Sequence, residues 1–72
     1  MKMFVYFVEG KAWEGFEAWG QAWKAAKEYA IQQHGVIFRD VVQAGEVKHE
    51  VYYKAGIFNS VEFLREDNVK VW

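Results

Sequence analysis

The chain holds few side chains able to attack a bond. It has no Cys and no Thr, and Ser60 is its only serine. A nucleophilic serine needs a sharp elbow and a neighbouring base. Ser60 follows Asn59 in a stretch better suited to turn chemistry. Two imidazoles are available, His34 and His49. His34 precedes Gly35 at the expected end of a helix, where a protonated ring interacts favourably with the helix dipole. His49 lies in "VKHEVYYK", a strand pattern, and is read as a half-buried, hydrogen-bonded histidine. A metal at His49 would need Asp40 or Glu50, and strand alternation sends Glu50 to the opposite face. No HxH, HExxH or CxxC spacing occurs. Gly10, Gly15 and Gly20 lack the Lys-Ser/Thr pair of a phosphate loop. The inventory therefore predicts a chain that is not an enzyme and that needs no metal or cofactor.

Asp40 is the carboxylate to watch. In "IFRDVVQ" it neighbours Arg39, and the two side chains must point to opposite faces. An inward carboxylate would flag a functional site. The preferred reading is protection of a sheet edge.

These residues need elements to position them. Residues 2–9 are almost all apolar and predict a central strand. Glu9, Gly10 and Lys11 suit a turn. Residues 12–18 predict either a second short strand, with Gly15 tolerating a bulge, or an irregular lead into the helix. The helix is expected from Trp19 to His34, poorly capped at its start, with Gly35 as its left-handed cap. On the helical wheel Ala22, Ala26 and Ala30 form a narrow seam, and Trp19, Trp23, Tyr29 and Gln33 share its apolar arc. Ile31 falls off that arc. Residues 36–43 read as a strand, 44–47 as a turn, and 47–54 as an alternating strand. That alternation puts Val47, His49, Val51 and Tyr53 on one face and Lys48, Glu50, Tyr52 and Lys54 on the other. Gly56 suggests a bulge or the strand's end. Beyond it, strands at about 61–66 and 69–72 are preferred over a short helix capped by Asn59.

The sum is an α+β fold in two layers: an antiparallel sheet of four to five strands with one helix on one face. Ten valines against a single leucine, Leu64, favour sheet over bundle. At 72 residues one domain, 1–72, is expected. With no disulfide, burial must come from its aromatic residues, four Trp, four Tyr and six Phe. A homodimer interface would add more. The opening apolar run is too short to span a bilayer, so neither a membrane nor secretion is expected and the location is read as cytoplasmic.

Nine Lys and Arg balance ten Asp and Glu, and neither half of the chain is a basic arm. Nucleic acid is thus the weaker class of partner, although an aromatic sheet face beside Lys48, Lys54 and Arg39 could stack single-stranded bases. A protein partner is favoured. One sheet face is left uncovered, and exposed aromatics flanked by charge make interface anchors. Tyr52, Trp72, Lys48, Lys54 and Arg39 are the expected contacts. Trp19 and Trp23 are assigned to the core. Trp13 and Trp72, lacking an assigned core neighbour, are assigned to a partner surface.

A segment "FEAWGQAWKAAKEYA", then "HGVIFRDV", then "KHEVYYK" resembles the layout of small phage and prophage accessory proteins, some anti-CRISPR proteins among them. The resemblance covers residues 3–54 and rests on strand order and the alanine-spaced helix. It carries over no individual residue. It implies a non-enzymatic protein that occupies a surface of a larger host machine.

Overall fold

The computed structural model of the protein describes residues 1–56 and 61–63. The elements run β1 (Met3–Val8), β2 (Lys11–Gly15), α1 (Gln21–Gln33), β3 (Val36–Gln43), β4 (Glu46–Ala55) and β5 (Val61–Phe63). The five strands form one sheet in the order β2-β1-β3-β4-β5, every neighbouring pair antiparallel. The helix packs across one face. This is the α+β arrangement expected from the sequence. The strand Val61–Phe63 includes Glu62, which removes the alternative of a helix capped by Asn59. The expected strand at 69–72 lies outside the described residues.

Both tight hairpins follow from local chemistry. Glu9 and Gly10 connect β1 to β2 with φ of 47° and 83°, and Ala44 and Gly45 connect β3 to β4 with φ of 53° and 80°. Two consecutive positive φ values match the right-handed twist of the flanking strands. Glycine at the second position lowers the steric cost.

The helix is shorter than the pattern predicts and starts at Gln21, with Gly20 as an N-cap that offers no side-chain hydrogen bond. Its left-handed residue is His34, with φ of 51°, and not Gly35. Gly35 serves close packing instead. A Cβ on it would sit 3.2 Å from Val8 Cγ1 and 3.1 Å from Glu9 Oε1. Its N–H donates to the Ala30 carbonyl at 2.9 Å, and its own carbonyl accepts from Ala55 at 3.1 Å. The cap thus ties α1 to β4 as well as ending the helix.

Ala22, Ala26 and Ala30 meet Tyr6, Val8 and Ile37 in the core. Methyl-sized side chains let the helix approach the sheet closely, and larger rings close the flanks. On one flank Trp13 packs on Tyr29 with centroids 5.5 Å apart, and the Lys11 ammonium lies 4.9 Å from the Tyr29 ring. Trp13 is therefore a core-flanking residue and not the partner surface expected of it. On the other flank Trp23 touches Tyr6 at 5.4 Å and Tyr53 at 4.8 Å. Trp23 and Tyr29 follow the expected arc, whereas Trp19 is 58% exposed. The reason is position. Trp19 precedes the helix, so the wheel does not govern it.

Candidate functional site

The face of each β4 residue is decided by a bulge. Phe38 pairs with Tyr52 and Asp40 with His49, so β4 spends one more residue than β3 between these pairs. Glu50 and Val51 together oppose Arg39. An extra residue reverses which way the following side chains point. Alternation across the whole strand therefore fails. Tyr52 and Lys54 share the face of Val47 and His49, away from the helix, while Lys48 and Glu50 share the helix side with Tyr53.

On the face opposite the helix, Tyr52 stacks on Phe38 with centroids 5.6 Å apart and ring planes at 29°. Lys54, across from Val36, is exposed. Phe7, Glu9, Gly10, Val36 and Phe38 line an adjoining apolar groove of about 530 Å³. One row further along, His49 Nδ1 is hydrogen-bonded to Asp40 Oδ1. Asp40 is buried on β3, a central strand, so it guards no edge. An edge carboxylate would have β3 at the margin of the sheet, but β1 and β4 flank it. His49 is half-buried and hydrogen-bonded, as expected. Glu50 stands on the other face, and among the described residues no three His, Asp or Glu side chains gather as a metal-binding group.

Arg39 is directed into the helix side. Its Nη2 donates to Glu50 Oε2 at 2.5 Å, and its Nη1 donates to the Tyr6 hydroxyl at 3.5 Å. The Tyr6 hydroxyl donates in turn to the Ala18 carbonyl. The guanidinium lies 5.3 Å from the Phe4 ring, 5.9 Å from Tyr6 and 5.6 Å from Trp19. Its side chain is only 12% exposed. Burial alone would lower its pKa, but the bonds with Tyr6 and Glu50 outweigh that, and the net direction is upward. Arg39 is an internal cation that joins β1, β3, β4 and the loop before α1. Its Nε is buried, with no hydrogen-bond partner among the described residues.

The five expected contacts thus do not form one surface. Tyr52 and Lys54 come together. Arg39 and Lys48 stand on the opposite side, and Trp72 lies outside the described residues. The Arg39–Glu50–Tyr6 network was not legible in the sequence. Its only signal was the Arg39–Asp40 adjacency, which sends one of the two inward.

Burial pushes the Tyr6 and Tyr53 phenols above their usual value, with Arg39 acting in the opposite direction. A phenol whose folded pKa exceeds its unfolded value favours the folded state below the unfolded value of about 10 and loses that contribution as pH rises through the folded value. The chain should therefore lose stability above about pH 10. In an alkaline titration followed by tyrosinate absorbance, the Tyr6→Phe and Tyr53→Phe variants should each remove a late-ionising phenol. Ionisation of all four tyrosines in one ordinary step, with no change in folding, would contradict this.

No family model, curated protein or solved structure matches the chain. The fold and the two faces of its sheet define it as a small α+β protein. Among the described residues no helix is long and apolar enough to cross a membrane.

Proposed function

We propose that this chain is a small non-enzymatic binding protein that docks a protein partner on the sheet face opposite the helix, with Tyr52 and Lys54 as contacts. The observation that carries this reading is the pairing of Tyr52 with Phe38 and of exposed Lys54 with Val36, which sets both on the face opposite the helix beside the apolar groove. A flat aromatic next to a cation is a common composition for an interface anchor. The layout resembling phage and prophage accessory proteins supports a partner that belongs to a larger host machine.

A photo-crosslinking residue placed at position 54 in cells should yield one discrete protein adduct, and Tyr52→Ala should remove most of it. The same residue placed at position 28, on the outer face of the helix, should yield none. An adduct to nucleic acid at position 54 would favour the base-stacking alternative instead. An adduct between two copies would favour self-association. Equal labelling from both positions would remove the proposed face.

A further inference from the structure

We infer that β2 is a self-pairing edge, through which two copies of this chain join, antiparallel, into one continuous sheet. The edge is separated from Tyr52 and Lys54 by β1 and β3, and the inference does not rest on the reading of that face. Among the described residues β2 ends the sheet and is paired on its inner side alone, with β1. The hairpin decides which of its backbone groups stay open. The two-residue turn Glu9–Gly10 makes Val8 and Lys11 the closing pair, and such a pair exchanges both of its backbone hydrogen bonds. Every second residue then does the same. Lys11, Trp13 and Gly15 therefore bond to β1, while the N–H and C=O of Ala12 and Glu14 point outward.

Three features point to a second copy as what covers them. First, the edge is poorly guarded. Proteins blunt such edges with proline, a bulge or an outward lysine. This chain has no proline, and β2 pairs with β1 without a break from Lys11 to Gly15. The lysine of β2 is turned toward the helix, its ammonium 4.9 Å from the Tyr29 ring centre. Second, β2 is complementary to itself in one register. A two-fold axis at Trp13 sets Ala12 opposite Glu14 of the second copy, so the outward groups of each meet those of the other. The same register sets Lys11 opposite Gly15, and no like charges face each other. A two-residue slip one way would put Glu14 against Glu14, which is destabilising. A slip the other way would put Glu14 opposite Gly10, beyond the partner strand and in its turn. Third, Trp13 is half-buried on the flank of the helix, packed on Tyr29. The favoured register brings the two Trp13 residues together as a non-hydrogen-bonded pair, where facing side chains come closest, and aromatic cross-strand pairs are stabilising.

Sedimentation equilibrium of the full chain over a wide range of concentration should show a reversible monomer–dimer equilibrium. Backbone amide exchange should slow at Ala12 and Glu14 as concentration rises, while the amides of Lys11 and Trp13, already bonded to β1, should not change. Ala12→Glu sets a glutamate against Glu14 twice by symmetry and should weaken the dimer about two- to thirtyfold. Ala12→Lys sets a lysine against Glu14 and should keep or tighten it. Position 12 is exposed, so neither variant should move the urea midpoint of the monomer. The inference is overturned by a chain that stays monomeric at every concentration, which would leave this edge to a different protein or to none. It is also overturned by concentration-dependent protection on β4 in place of β2, or by Ala12→Glu and Ala12→Lys changing the dimer equally.

Discussion

Replacing Tyr6 by alanine is expected to unfold the chain or bring it to the edge of unfolding at room temperature. Tyr6 has no solvent exposure, and its ring meets Trp23 and packs in the core with the alanine seam of α1. Removing a buried aromatic side chain costs about 3–5 kcal/mol. A domain of this length has a total stability of about 4–11 kcal/mol, at roughly 0.05–0.15 kcal/mol per residue. The truncation also deletes the hydroxyl that holds the Ala18 carbonyl and accepts from Arg39. Tyr6→Phe separates these effects. It keeps the ring and loses only the hydroxyl's bonds, at about 1 kcal/mol or somewhat more, because a partly buried carbonyl is left without its donor. Urea unfolding followed by tryptophan fluorescence gives the measurement. With a slope near 1 kcal/mol per molar for a small protein, Tyr6→Ala should move the midpoint down by about 3 M or abolish the folded baseline. A shift below about 1 M would place Tyr6 outside the core.

The second large effect is expected at Ala26. It is fully buried between its neighbours Ala22 and Ala30, where the helix lies against β1 and β3. Leucine is nearly as good a helix former as alanine, so Ala26→Leu leaves α1 intrinsically intact. The added methylenes would have to enter a closely packed seam, at a cost of about 1–3 kcal/mol or more. Lys24→Leu, on the exposed side of the same helix, adds similar volume without that conflict. The expected outcome is a clear fall in the urea midpoint for Ala26→Leu and little change for Lys24→Leu. Equal midpoints would show that the seam has room for a larger residue, and the close approach of helix to sheet would be wrong. A loss of helical circular dichroism for both variants would point to the helix itself and not to the seam.

Elements controlled by near neighbours could be read from the residues. The alanines at 22, 26 and 30 recur at helical spacing, and they are the three buried residues of α1. Gly10 and Gly45 mark tight hairpins, since the second residue of each turn needs a positive φ. The strand Val36–Gln43 was legible to the residue, because apolar β-branched residues run between Gly35 and the Ala44–Gly45 turn. The residue pattern places the helix start at Trp19, two residues before the observed Gln21. Nothing in "AWGQ" distinguishes the chain entering a helix from the helix itself when no capping side chain is present. That small offset moved Trp19 from the expected core to the rim, where it meets Trp23 edge-on at 4.7 Å.

The candidate site was legible only in part, for a different reason. Tyr52 and Lys54 are two residues apart and share a face wherever the strand lies. Whether Lys48 joins them depends on the count of residues between, and the bulge adds one to that count. A bulge arises from how β4 meets β3, and "KHEVYYK" contains no glycine or proline to announce it. Asp40 shows the same dependence. Its type and its alternation with Arg39 were plain, but a central position on β3 and a partner in His49 required the strand order.

By itself, then, the order of residues determined the class of fold, the alanine seam and the places of the two turns, because each depends on a period or a backbone conformation spanning a few positions. Only the tertiary structure decided which aromatics are buried and which charges share a face. Those outcomes depend on what lies across from a residue: a one-residue difference between paired strands turns the following side chains to the other side, and the packing of a ring is set by the element opposite it.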